Sequence, residues 1–160
     1  MCQRPGEKST DLRTLELVGR LLVAALLGAA VGLEREVHHK AAGVRTNALI
    51  ALGASLFTVL SQEMVPGVQG DPSRIAAGIV TGIGFVGGGA ILRTGGSIQG
   101  LTTAATIWVN AGIGLAAGAG EIPLAVAGAG VTLLVLVVLN FVELRIERRE
   151  KRRNEESQGR

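Results

Sequence analysis

The sequence predicts an all-α, polytopic membrane protein, built as a bundle of five transmembrane helices. Five stretches of the 160-residue chain are almost free of charged residues, and each is about as long as a bilayer is thick. A helix needs roughly 20 apolar residues to cross about 30 Å of hydrocarbon. The charged residues gather in the connectors and tails instead. The sequence lacks the alternating segments of about 10 residues that are typical of transmembrane barrels, so helices are the expected spans.

The five apolar stretches, called segments one to five, follow one another closely. They cover residues 15–33, 44–61, 75–92, 101–119 and 122–142. Only Gly120 and Glu121 separate the last two segments, which predicts a tight helical hairpin. The chain therefore divides into an N-terminal tail (1–14), one transmembrane domain (15–142) and a charged tail (143–160). Glu147 and Lys151 have the i,i+4 spacing of a helical ion pair, so segment five is expected to continue as a charged helix.

The basic residues predict the orientation, because Lys and Arg concentrate in cytoplasmic loops. Eleven of them lie in the connectors after segments one and three and in the tail after segment five, which share one side of the membrane. Four lie on the other side, and Arg20 lies inside segment one. We therefore expect the N-terminus outside and the C-terminus in the cytoplasm.

The charge and cysteine content indicate which classes of binding partner to expect. The net charge is +3, but acidic residues interleave with the basic ones of the C-terminal tail, so no nucleic-acid partner is predicted. The lipid bilayer is the expected partner of that tail, through anionic headgroups, and a docking site for a cytoplasmic protein is the alternative. The single Cys2 provides no disulfide framework.

Glycines spaced four apart predict close helix packing, since such stripes let backbones approach each other in lipid. Segment three carries two such pairs, Gly78 with Gly82 and Gly84 with Gly88. Further pairs are Gly28 with Gly32 and Gly114 with Gly118. These pairs predict packing within the bundle or in a homo-oligomer. A break of segment three at Gly87-Gly88-Gly89, which would line a binding site, is the alternative.

Arg20 and Asn110 are the candidate intramembrane polar residues. Arg20 follows Glu16 by four residues, so an ion pair at the outer interface and a role inside the bundle are both open. Asn110 lies in the middle of segment four, and its amide is expected to form an interhelical hydrogen bond.

A polar cluster is predicted near the cytoplasmic face. Its candidate functional residues are Glu34, Arg35, Arg45, Asn47, Arg93 and Thr102. The connector after segment one is short enough for Glu34 to meet Arg45. Residues 93–100 form a glycine-rich turn, and the free amides at the start of segment four could hold an anion there. At the other face, Asp71 is a predicted helix N-cap with Pro72 at the first helical position.

Several motifs occur in order along the chain. They are the runs 32–36 (GLERE), 42–49 (AGVRTNAL), 71–77 (DPSRIAA), 82–93 (GIGFVGGGAILR) and 100–108 (GLTTAATIW). Together they resemble the transmembrane domain of the MgtC/SapB family of bacterial inner-membrane proteins, over roughly residues 15–142.

The resemblance implies a five-helix domain in the bacterial inner membrane, a link to growth in low magnesium, and restraint of the F-type ATP synthase. It also implies a role in survival inside phagocytes for pathogenic members. Better-studied members carry a soluble domain after the last helix, and some have Asn where Thr102 stands. We therefore expect a housekeeping member rather than a virulence factor.

Three functions follow as hypotheses. The first is a regulatory protein that binds another membrane complex, and the second is a transporter of magnesium or another small ion. Cation paths usually carry deep carboxylates, and the carboxylates here lie near the membrane surfaces, so regulation is favoured. The third is an enzyme, which the sequence argues against: it offers no nucleophile motif, and the adjacent His38 and His39 lack the spacing of a metal pair. No catalytic residue, metal ligand or cofactor is predicted.

Overall fold

A computed structural model describes residues 5–64, 71, 73–94 and 97–158 as a helical bundle with one small hairpin. The elements in chain order are α1 (Pro5–Val37), α2 (Val44–Met64), α3 (Ser73–Gly89), β1 (Leu92–Thr94), β2 (Ser97–Gln99), α4 (Leu101–Ala119) and α5 (Ile122–Gln158). Side chains are described for 11–64, 71, 73–93, 97–141 and 145. Cys2, Pro72 and Gly95-Gly96 lie outside the described residues.

Five helices confirm the predicted fold class. Four of them contain stretches that are long and apolar enough to cross a membrane, namely 11–37 in α1, 44–64 in α2, 101–119 in α4 and 122–141 in α5. The chain is therefore a multi-pass membrane protein.

Helix α3 is shorter than segment three. Its 17 residues rise about 25 Å, at about 1.5 Å each, against a hydrocarbon thickness of about 30 Å. The helix ends at Gly89, because three consecutive glycines favour the end of a helix. The run of three glycines therefore lies at the C-terminal end of α3. The sequence had left open whether this run breaks segment three. Residues 92–94 and 97–99 pair as two antiparallel strands, with Arg93 opposite Ile98, where the sequence predicted a turn.

The two terminal helices extend beyond their apolar segments. Helix α1 starts at Pro5, so residues 5–14 of the predicted tail are helical. Helix α5 runs to Gln158, as expected of segment five continuing into the charged tail.

The α4–α5 hairpin is as tight as predicted. Gly120 adopts a left-handed conformation (φ 90°), which glycine permits without steric cost. The Gly120 N–H donates to Ala117 O at 3.1 Å, and the Glu121 N–H donates to Ala116 O at 3.0 Å. This pair of hydrogen bonds is the Schellman arrangement, which satisfies the last carbonyls of α4.

Small residues form the core, where α2 packs between α1 and α4. Ala24, Ala51 and Ala117 are fully buried. A Cβ added at Gly118 would lie 2.6 Å from Ser55 O, and one added at Gly32 would lie 2.7 Å from Gly43 O. Gly28 and Gly114 are equally close to the backbone of α2. These four glycines therefore mediate the close helix packing that their spacing predicted.

The glycine pairs of α3 behave differently. A Cβ added at Gly78, Gly82, Gly84 or Gly88 would meet no atom within 4 Å. Only Gly87 of this helix is buried, against Ala104 of α4. The four glycines therefore make no close contact with another described helix of the chain. A contact with a second chain stays a prediction.

Candidate functional site

Polar residues converge at one end of the bundle, called the Arg35 end. It holds the last turn of α1 and the first turns of α2 and α4, which the antiparallel connections bring together. A cavity of about 400 Å³ opens there, and its polar lining residues are Glu34, Arg35, His38, Lys40, Thr102, Thr103 and Asn140. Three residues of the predicted cluster, Glu34, Arg35 and Thr102, therefore share one cavity.

Arg35 is the most deeply buried charged residue of the cavity. Only 5% of its surface is exposed, and its Nη2 donates to Thr103 Oγ1 at 3.2 Å. Its Nε has no hydrogen-bond partner. The Thr103 contact was not predicted, because it joins helices 68 residues apart in sequence.

Glu34 pairs with a histidine one turn later. Its carboxylate Oε1 lies 3.1 Å from His38 Nδ1, and its side chain is 8% exposed. The other carboxylate oxygen, Oε2, has no hydrogen-bond partner. The carboxylate of Glu34 therefore contacts His38, and the contact with Arg45 that the sequence left open does not form. The i,i+4 spacing of Glu34 and His38 was the available signal for this pair.

The remaining arginines of the predicted cluster lie apart from the cavity. Arg45 and Arg93 are exposed, the first in α2 and the second in β1. Both lie at the same end of the bundle as Arg35, but neither lines the cavity. Arg35 is therefore buried, whereas the two other arginines of the predicted cluster are exposed.

Glu36 holds the connector between α1 and α2, a role that the sequence did not reveal. Its Oε2 accepts a hydrogen bond from the Val44 N–H at 2.9 Å, where a free amide begins α2. Two connector residues, His39 and Ala42, have positive φ. The short connector is therefore fastened to the helix that precedes it.

The start of α4 forms the cavity wall opposite Arg35. Gly100 precedes the helix with φ 89°, and no side chain caps the first turn. The first amides of a helix have no carbonyl one turn back to bind, and the helix dipole makes that end positive. This arrangement can hold an anion, as the sequence suggested, with Arg35 rather than Arg93 beside it.

Asn47 and Asn110 lie deeper, at a junction of helices. Both are fully buried. Asn110 Nδ2 donates to Asn47 O and to Asn47 Oδ1, each at 2.9 Å. The Asn47 amide donates in turn to the carbonyls of Ala42 and Gly43. The predicted interhelical hydrogen bond of Asn110 is present, and its acceptor joins α4 to the start of α2.

Arg20 organises the opposite end of the bundle. Its Nη2 lies 2.6 Å from Glu16 Oε1, and its Nη1 donates to Gly118 O at 3.2 Å and to Gln62 Oε1 at 3.3 Å. The two interpretations that the sequence left open therefore both hold, since Arg20 pairs with Glu16 and also bridges three helices.

The chain matches a known protein family. Residues 21–145 match the model of the MgtC family, which is most of the chain. No solved structure matches.

The chain is also similar in sequence to individual proteins. The chain is 45% identical to the Escherichia coli (strain K12) protein named "Putative magnesium transporter YhiD", over 83% of this chain and 65% of that protein. It is 46% identical to Protein MgtC of Salmonella typhimurium (strain LT2), over 79% of this chain and 53% of that protein. A Synechocystis protein of uncharacterised function, slr0014, is 43% identical over 75% of this chain and 50% of that protein.

The chain thus spans between half and two thirds of the length of these relatives. The matched residues include every helix that carries the polar cavity and the Asn47–Asn110 junction. The chain belongs to the MgtC family.

Proposed function

We propose that this chain is a regulatory protein of a bacterial inner membrane, linked to magnesium homeostasis, which acts by contact with another membrane protein complex. The observation that carries the proposal is the open face of α3. Gly78, Gly82 and Gly84 have free space beside them, and Phe85 is 87% exposed. Small residues on an open helix face are a common contact surface in lipid.

The space beside α3 suits such a contact. A cavity of about 570 Å³ lies between α2 and α3, with Gly53 on one wall, Gly78 and Gly82 on the other, and Ala111 of α4 at its floor. Its lining is almost wholly apolar apart from Arg74 at one end. A transmembrane helix of a partner fits a surface of this chemistry better than a hydrated ion does. The F-type ATP synthase is the candidate partner that the family resemblance implies.

The interior of the bundle supports regulation over transport. Among residues whose side chains the structure describes, the buried polar residues include no carboxylate: Asn47, Ser55 and Asn110 are neutral, and Arg35 is a cation. The carboxylates of Glu34 and Glu63 lie near helix ends, where they pair with His38 and Arg13. A selective path for a divalent cation usually needs charged or stacked oxygen ligands at depth. We also propose that the chain catalyses no reaction.

Photo-crosslinking in cells tests the contact. A photoreactive residue at Gly82 is expected to give a discrete adduct with a membrane protein. The same residue at Val126, an exposed position of α5, serves as the matched control. An equal adduct pattern at the two positions, or none at Gly82, would overturn the proposed contact surface.

Magnesium transport is the second candidate, because the name of the YhiD relative refers to it. Its test is magnesium uptake into proteoliposomes that hold the folded, inserted protein. The proposal expects no saturable uptake. Saturable uptake that is lost when Asn47 and Asn110 are both replaced by Leu would instead establish a transport path through the buried junction.

A further inference from the structure

Arg35 carries a charge inside the bundle, and no described carboxylate forms a salt bridge with it. Among the described residues, ion pairs join Arg13 to Glu63 and Arg20 to Glu16, and the carboxylate of Glu34 contacts His38. Arg35 makes one hydrogen bond, to the neutral Thr103, although a guanidinium has five N–H donors. A buried charge is costly unless an opposite charge or several hydrogen bonds compensate it. The structure therefore leaves room for an acceptor beside Arg35.

The surroundings of Arg35 raise the positive potential further. The uncapped start of α4 faces the same cavity, and Lys40 lines it. A cation beside a helix N-terminus lies at the unfavourable end of the helix dipole. An anion between the two would remove that conflict, because it accepts from the guanidinium and from the free amides of residues 101–103. The only carboxylate among the cavity-lining residues, Glu34, lies 3.1 Å from His38 Nδ1 and forms no salt bridge with Arg35.

The cavity continues into lipid-facing apolar space. A groove of about 580 Å³ lies between α4 and α5, and it shares Thr102, Val135 and Leu136 with the cavity. Its floor is made of small residues, including Ala105 and Gly128. From Leu124 to Leu136, the groove follows α5 for about 18 Å, at about 1.5 Å a residue. That length is close to half the hydrocarbon thickness of about 30 Å.

We propose that the cavity binds the phosphate of a bilayer glycerophospholipid, with one acyl chain in the groove between α4 and α5. The phosphate accepts hydrogen bonds from Arg35 and from the first amides of α4. The positive charge of the cavity favours an anionic phosphate. The apolar groove that continues from the cavity favours a lipid over a soluble phosphate. This site lies on a different face of α4 from the proposed partner contact and does not depend on it.

Native mass spectrometry of the full chain in mild detergent tests the head contact. Phosphatidylglycerol is titrated into the wild type, into Arg35→Gln and into Arg45→Gln, which removes the same charge from an exposed position at the same end. We expect one lipid per chain for the wild type and the Arg45 variant. Binding to Arg35→Gln should be roughly tenfold weaker, as a lost hydrogen bond to a charged group implies. Equal binding by the three proteins would overturn the proposal.

Ligands that lack either the acyl chains or the phosphate show whether the bound phosphate belongs to a lipid. Phosphatidylglycerol should raise the melting temperature, whereas glycerol 3-phosphate, inorganic phosphate and diacylglycerol should not. Displacement of the lipid by equal concentrations of soluble phosphate would show a soluble-anion site and overturn the lipid assignment. Equal stabilisation by diacylglycerol would overturn the phosphate contact.

A second pair of variants keeps the test valid if Arg35→Gln does not fold. Val131→Trp places a large ring in the groove, whereas Val126→Trp adds the same ring to an exposed part of α5 that does not line it. Lipid binding should fall only in Val131→Trp. A lipid-free dimer as the sole wild-type species would show that a second copy occupies the groove, and would overturn the proposal.

Discussion

Asn110 of α4 donates from one Nδ2 to both the backbone carbonyl and the side-chain oxygen of Asn47 in α2, at 2.9 Å each. Because both acceptors are oxygens, the amide nitrogen of Asn110, rather than its amide oxygen, must face Asn47. A Cβ added at Gly28 of α1 would lie 2.5 Å from the oxygen of the same Asn47 carbonyl. This backbone carbonyl of α2 thus packs against α1 and accepts a hydrogen bond from α4, so it joins three helices.

Replacement of Asn110 by Leu should destabilise the bundle. The substitution leaves Asn47 Oδ1 buried and without its donor, at a cost of about 1–2 kcal/mol in a membrane protein. The free energy of unfolding in mixed micelles, followed by circular dichroism, measures the loss. Thr81→Val is the control, because Thr81 is exposed and bonds only to Ala77 O of its own helix. Similar unfolding energies for the two variants would contradict the proposed role of the junction.

Two glycines of α4 should respond in opposite directions to the same change. Alanine at Gly118 would place its Cβ 2.6 Å from Ser55 O, so α2 and α4 must separate and stability should fall by about 1–3 kcal/mol. Alanine at Gly112 meets no atom within 4 Å and should raise stability by up to about 1 kcal/mol through helix propensity. Melting temperatures in one detergent provide the comparison. A stable Gly118→Ala protein would show that the two helices are not in close contact.

Arg20 should matter more than its ion-pair partner. Arg20→Gln loses charged hydrogen bonds to Gly118 O and Gln62, which contribute about 1.5–3 kcal/mol each at most. Glu16→Gln removes only the ion pair with a carboxylate that is 63% exposed, and should cost less than about 1 kcal/mol. Unfolding of the two single variants and the double variant separates the contributions. If Glu16→Gln were the more damaging change, the bridging role of Arg20 would be wrong.

Asp71 should titrate below the usual range of an aspartate. Hydrogen bonds from the side chain and the backbone N–H of Ser73 hold the pKa of Asp71 below its ordinary value of 3.8, and the nearby Arg74 adds to this. The N–H contact, at 3.0 Å, also confirms the predicted N-cap of α3. Since the folded pKa is lowered, the cap stabilises α3 fully above pH 3.8 and is lost as the pH falls through the folded value.

The amide chemical shift of Ser73 reports this titration by NMR. We expect a midpoint below pH 3.8 in the wild type and no titration step in Asp71→Asn, which keeps an acceptor at the N-cap. A midpoint at or above the ordinary value would show that the cap does not form in the membrane-embedded protein.

Much of the fold follows from local properties of the sequence. The spans of α2, α4 and α5, the Gly120 hairpin and the Asp71 cap each depend on residues within a few positions of one another. The β1–β2 pairing was missed, and an interruption at the glycine run that ends α3 was only the alternative, because apolar residues continue to Leu92 and hydropathy does not distinguish a helix from a strand.

The candidate site was predicted only in part. Glu34, Arg35 and Thr102 do meet at one cavity, since their positions near helix ends place them at the same membrane face. His38 and Thr103 were missed as partners, and Arg45 and Arg93 lie outside the cavity. Which arginine is buried depends on how α1 is rotated against α4, and no local pattern in the chain specifies that rotation.

The sequence by itself determined that the chain crosses a membrane as helices, where the helices connect and which glycines are spaced for packing, because hydropathy, charge and turn chemistry are local properties. Only the tertiary structure decided which of those glycines pack. Gly28 and Gly114 lie against the backbone of α2, whereas Gly78 and Gly82 remain open to the surroundings. It also decided that Arg35 is buried beside an uncapped helix, since burial arises only when separate helices are brought together.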